Sequence, residues 1–183
     1  MALRPGDDGI CGDGYLIEMV NQGVLLGVVD GVGSREQATA TKWRAIESVR
    51  ECRLMRPGEV LRMCHQALRG TSGVAMGLAL VDTDSDTLTY VAVGTTALRF
   101  VGFQGAPLLP SAGLVGVNLG SPREETLPYQ PGQLIVMHTA GIRDGFDIDH
   151  YPAPIRDDLG SLAQAIAQEW SSEQDDGVVL LAQ

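Results

Sequence analysis

Apolar positions along the chain fall into short runs broken by glycine, proline and acid-rich clusters, a pattern of strands and helices within one folded unit. Gly14 to Val20 and Val24 to Asp30 flank the turn sequence Asn21-Gln22-Gly23 and predict a hairpin. Leu25-Leu26-Gly27-Val28-Val29 is apolar without interruption, as a central strand covered on both faces would be. Ser34 is placed to cap a helix, with Gln37 at the capping-box position, and apolar spacing carries that helix to about Arg53. Pro57 suits the first turn of a second helix containing Val60, Leu61, Cys64 and Leu68 and ended by Gly70. Strands are then predicted over Val74 to Val81, Leu88 to Val93, Ala97 to Phe103, Glu124 to Tyr129 and Gln133 to His138. The polar cluster from Asp82 to Asp86 and the pair Pro131-Gly132 supply turns. Leu159 to Trp170 has the helical period and Val178 to Leu181 closes the chain as a strand. Strands and helices do not alternate as βαβ units would. The expected fold is therefore α+β, mostly antiparallel sheets layered with helices, in a single domain over 1–183.

Composition fits an ordinary globular domain, with 44% hydrophobic and 20% charged residues. A formal net charge of -10 without any Lys/Arg run argues against a nucleic-acid partner and suits a protein that concentrates divalent cations, although many domains are acidic for solubility alone. No apolar run reaches the roughly 20 residues of a membrane helix, and the start has no signal-peptide stretch, so no membrane partner and a cytoplasmic location are expected. Cys11, Cys52 and Cys64 form no CxxC pair and read as small apolar side chains, and the three histidines show no metal-type spacing.

The informative residues are acids beside glycines at the edges of apolar strands. Asp13 lies in Cys11-Gly12-Asp13-Gly14, Asp30 ends the buried run and precedes Gly31-Val32-Gly33, and Asp175-Asp176-Gly177 precedes the last strand. An aspartate continuing a buried strand is costly unless it is paired, hydrogen-bonded or on a metal. Glycine allows close backbone approach, so the Gly31 carbonyl can join the donor set. Mg²⁺ and Mn²⁺ take such hard oxygens. Each pair taken singly is more often just a turn; the ordered set carries the weight.

That set, Cys11-Gly12-Asp13, a hairpin, Val28-Val29-Asp30-Gly31-Val32-Gly33, a helix of small residues and a final Asp175-Asp176-Gly177-Val178-Val179-Leu180, resembles the type 2C (PPM) metal-dependent serine/threonine phosphatases. Ile10-Cys11-Gly12-Asp13, the compact length and Arg69-Gly70-Thr71-Ser72-Gly73 fit the short bacterial RsbX-like and SpoIIE-like branch of stressosome and partner-switching phosphatases. The resemblance implies a four-layer α-β-β-α sandwich with two Mn²⁺ or Mg²⁺ at one end. It implies that Asp30 bridges both ions, that the Gly31 carbonyl binds one, that Asp13 and Asp175 are further ligands, and that Asp176 stands just behind them. It implies a hydroxide between the metals attacking phosphoserine or phosphothreonine in line, on a phosphorylated STAS-domain regulator as partner.

One family position departs. A strand ending in Ser/Thr-Asp-Gly is matched by Met137-His138-Thr139-Ala140-Gly141, so Ala140 stands where a ligand aspartate is expected. Three readings are open: a substitution that weakens the metal site, a natural pseudophosphatase that binds a phosphoprotein without turnover, or compensation by Asp144 or Asp147. Reduced activity and one weakened metal site follow from the first. Among lesser features, Gly94-Thr95-Thr96 resembles a turn near the family's substrate cleft or is an ordinary hairpin turn, and Thr71-Ser72-Gly73 reads as local capping. Trp43 and Trp170 read as packing residues, Asp144, Asp147 and Asp149 as solvated loop acids, and the loop from Gly105 to Ser121 as a candidate docking surface.

Overall fold

The computed structural model describes residues 2–4, 11–102, 108–172 and 175–183, the first three by backbone alone. Ile10, the Phe103 end of one expected strand and the first residues of the Gly105 to Ser121 loop lie outside the described residues.

The hairpin forms from β2 (Asp13–Val20) and β3 (Gly23–Gly31), paired in the register that puts Asp13 opposite Asp30. β3 pairs in turn with β4 (Val74–Asp82), β4 with β5 (Thr87–Val93), and β5 with β7 (Glu124–Pro128). These make an antiparallel five-stranded sheet in the order β2-β3-β4-β5-β7. A second antiparallel sheet runs β1-β9-β8-β6, from β1 (Ala2–Arg4), β9 (Gly177–Ala182), β8 (Ile135–His138) and β6 (Ala97–Phe100). The expected strands thus divide between two sheets, and β6 stops at Phe100. β1 was not foreseen. Its three residues show no alternating pattern, and it exists by pairing with β9 at the far end of the chain.

Helices α1 (Arg35–Cys52) and α2 (Pro57–Ala67) cover the larger sheet. Ser34 closes a capping box with Gln37, satisfying two otherwise orphaned N–H groups, and Pro57 opens α2. α4 (Leu159–Trp170), capped by the Asp158 carboxylate, covers the smaller sheet, beside a 3₁₀ turn at Ile148–His150 and the short α3 (Ala153–Arg156). Neither short helix has enough length for a readable period.

Strand alternation feeds three apolar layers. Leu25 and Val29 of β3, with Met76 and Leu78 of β4, pack against Ile46, Val49 and Leu61 of the helices. Leu26, Val28 and Ala79 point the other way, onto Ile135, Met137, Val178 and Leu180 of the second sheet. Val136, Val179 and Leu181 pack against Leu162 and Ile166 of α4. This is the expected α-β-β-α sandwich, and it explains why β3 and β4 are apolar at nearly every position. Trp43 is a correction: it is 57% exposed, with the Lys42 ammonium over its ring, and is not a core residue. Trp170 does pack, edge-on to Phe146.

Leu61 is fully buried between α2 and the sheet. Leu61→Ala should cost about 2–5 kcal/mol in urea unfolding through the lost contacts and residual cavity. A loss under about 1 kcal/mol would mean that the helix layer is not packed as described.

Candidate metal centre and the family it belongs to

Antiparallel pairing brings the start of β2, the end of β3, the end of β8 and the start of β9 to one end of the sandwich. Asp13, Asp30, Asp175 and Asp176 line a single cavity there of about 200 Å³, together with Gly12, Gly31, Gly33, Arg35 and Ala38. Every residue expected to hold metal, apart from the replaced position, is on this wall. Arg35 was not anticipated; its only sequence signal is a cation directly after the Ser34 cap.

Among the described residues Asp13 is the most buried acid, at 3% exposure. Its Oδ2 accepts from the Thr139 hydroxyl, and that hydroxyl oxygen accepts from the Val178 N–H at 2.9 Å. The relay links β2 in one sheet to β8 and β9 in the other. Asp30 Oδ2 accepts from the Thr95 hydroxyl at 3.3 Å, so the Gly94-Thr95-Thr96 turn does reach the site. Asp176 Oδ2 accepts from the Gly12 N–H at 2.7 Å, while Thr39 and Lys42 of α1 both donate to the Cys11 carbonyl. Two glycines are required by contact distance. A Cβ on Gly31 would stand 2.4 Å from the Ala38 carbonyl oxygen, and one on Gly141 would stand 1.6 Å from that of Asp176. The roles of Thr139 and Thr95 were illegible because they depend on contacts between distant segments.

Crowding the carboxylates has a clear electrostatic effect. Burial, and then the neighbouring Asp30 charge, push Asp13 up to about 8 against the opposing Thr139 hydrogen bond. Asp30 is also raised, chiefly by burial and then by Asp175, while hydrogen bonds from Asp13 and Thr95 pull the other way. Among the described residues no group of three or more His, Cys, Asp or Glu side chains is already gathered to hold a metal ion. A divalent cation fits this donor set, because it removes the repulsion that otherwise forces protons onto the pair.

Ala140 is exposed in the turn after β8, between Thr139, which holds Asp13, and Gly141, which packs on the Asp176 backbone. It faces an adjoining cavity of about 680 Å³ that also includes Thr95, His138 and Asp144. Asp144 bonds His138 Nε2 at 3.1 Å, and Asp147 caps the 3₁₀ turn through the Asp149 N–H. Neither lines the acidic cavity, so compensation by either has no geometric support. Asp149 is an exposed loop acid, as expected, with the Arg156 guanidinium 2.9 Å away. Thr71 behaves as expected, its hydroxyl closing a local turn onto the Leu68 carbonyl.

The fold, a mixed α+β sandwich of antiparallel sheets, is that of PP2C-like phosphatases. Residues 21–181 match the family model for Stage II sporulation protein E (SpoIIE), and the chain belongs to that family. It is similar to the phosphoserine phosphatase RsbX of Bacillus subtilis (strain 168), 20% identical over 179 residues that cover 95% of this chain and 87% of that protein. RsbX solved in complex with magnesium superposes with a TM-score of 0.82 at 19% identity, over 98% of this chain and 91% of that one. A chain from work on the bacterial stressosome, a modular system adapted to control secondary messenger signalling, reaches 0.87 at 25% identity, over 100% and 96% of the two chains. Homologues and structural neighbours are protein serine/threonine phosphatases of a metal-dependent family.

The raised carboxyls have a consequence for stability. In metal-free protein, Asp13 keeps a proton that the unfolded chain gives up near pH 4, so stability falls as pH rises from about 4 to about 8. Tm measured across that window should decline, Asp13→Asn should flatten the decline, and Mg²⁺ should raise Tm most at the alkaline end. An unchanged slope in Asp13→Asn would contradict the assignment.

Proposed function

We propose that this chain is a metal-dependent phosphoserine/phosphothreonine protein phosphatase domain acting on a phosphorylated STAS-domain regulator of a stressosome or partner-switching module. The observation that carries this reading is the convergence of Asp13, Asp30, Asp175 and Asp176 on one cavity, with the inner pair held above the usual carboxylate range. The likeness to RsbX supports the choice of partner class. No helix of the described residues is long and apolar enough to cross a membrane, in keeping with a cytoplasmic site of action.

In this reading Asp13, Asp30, Asp175 and the Gly31 carbonyl hold Mn²⁺ or Mg²⁺, with Asp176 positioning the Gly12 backbone behind them. Bound divalent metal supplies Lewis-acid polarisation of a phosphoryl oxygen and a lowered pKa for attacking water. The protein's own groups do the arranging. Thr139 orients Asp13 Oδ2 and Thr95 orients Asp30 Oδ2, and a bound cation would favour the ionised form of both carboxyls. Arg35 brings positive charge to the same wall, complementary to a phosphoryl group.

Ala140 leaves the set one carboxylate short of the family pattern, and low turnover is the expected consequence. A second reading, a pseudophosphatase that binds phosphoprotein without hydrolysis, rests on that same residue. Ala140→Asp separates the two. Calorimetric Mn²⁺ titration should show tighter binding, and phosphate release from a phosphoserine STAS protein should rise by roughly one to two orders of magnitude, the scale of a lost metal-site interaction. No gain in either measurement would sink the view of Ala140 as a missing ligand.

A further inference from the structure

Away from the acidic end, a groove of about 700 Å³ lies between α1 and α2, and it is apolar and open. Leu54 is 59% exposed and Met55 and Met63 are 44% exposed in its wall, while the same helices bury Val49, Val60 and Leu61 completely. Three large apolar side chains left in water together mark a contact surface more often than chance exposure does.

The charge around it is opposite to that of the whole protein. Residues 35–69 hold eight of the 13 Lys and Arg but only four of the 23 Asp and Glu, leaving five cations against nineteen carboxylates elsewhere. Arg50 pairs with Glu18 and Arg56 with Glu124. Arg44, Arg53, Arg62 and Arg69 are exposed and form no ion pair with any described residue. Arg53 is in the groove wall together with one acid, Glu51, and Arg62 stands one helical turn before the groove residue Gln66. The helical layer is thus an arginine-rimmed apolar strip on an otherwise acidic body.

We propose that the α1–α2 groove docks an acidic, amphipathic helix of a protein partner. The apolar face of such a helix meets Leu54 and the flexible thioethers of Met55 and Met63, and its carboxylates meet the exposed arginines, Arg53 among them, whose guanidinium also donates to the Arg50 carbonyl. The rest of the surface repels an acidic ligand, so charge directs it to this layer. An isologous contact between two copies would instead set the arginine rim against itself. The proposal is independent of the phosphatase reading, because the groove shares no residue with the acidic cavity.

The test uses two fluorescein-labelled helical peptides of about 18 residues, one of Glu and Leu and one of Lys and Leu, with Leu at helical spacing. Fluorescence anisotropy should show that the Glu/Leu peptide binds and weakens between about 50 and about 300 mM salt. Met63→Glu should reduce its affinity roughly tenfold, and so should Arg53→Glu combined with Arg62→Glu. Should Met63→Glu fail to fold by circular dichroism, the exposed arginine pair decides. Tighter binding of the Lys/Leu peptide, or indifference to the arginine pair, overturns the proposal. So does light scattering that finds a dimer dispersed by the arginine variant, which would give the groove to a second copy.

Discussion

The constraint on which this structure turns is the cost of holding carboxylates close together out of water. Asp13 is nearly inaccessible and faces Asp30 across an antiparallel pair, with Asp175 and Asp176 on the same wall. Such an arrangement destabilises the folded state unless protons or cations neutralise it. The structure spends hydrogen bonds on the problem, from Thr139 to Asp13, Thr95 to Asp30 and Gly12 to Asp176. Those bonds orient the oxygens, and they do not outweigh burial, which is why both inner carboxyls remain protonated above the usual range. In the proposed reading, a divalent ion relieves this tension.

The sandwich is what makes the tension sustainable. Three apolar layers fix β2 and β3 against β8 and β9, and the Val178–Thr139–Asp13 relay ties the two sheets at the acidic end. Gly31 and Gly141 let α1 and the Asp176 backbone come within distances that no side chain would allow. Ala140 sits between two of these anchors, Thr139 and Gly141.

Much of this was legible before any coordinates. The unbroken run before Asp30 announced a strand buried on both faces, and an acid continuing that run announced a cost in need of a partner. Ser34 with Gln37 announced the start of α1. What escaped were features fixed by distant contacts. β1 has three residues and no pattern, and only β9, at the opposite end of the chain, makes it a strand. The division of the later strands into two sheets depends on pairing partners, which alternation does not reveal. Thr139 and Thr95 stand in motifs that the sequence singles out, but their hydrogen bonds to Asp13 and Asp30 exist only once the fold brings distant segments together. Trp43 sits on a helix and reads as a packing residue, yet it lies outside the stripe that faces the sheet.

The central claim is that the four-aspartate cavity is a divalent-cation site. Crystals soaked in Mn²⁺ and measured for anomalous scattering test it most directly. The account predicts a peak inside the cavity bounded by Asp13, Asp30 and Asp175, absent after Asp30→Asn. Occupied manganese elsewhere on the molecule, with this cavity empty at saturating metal, would contradict it.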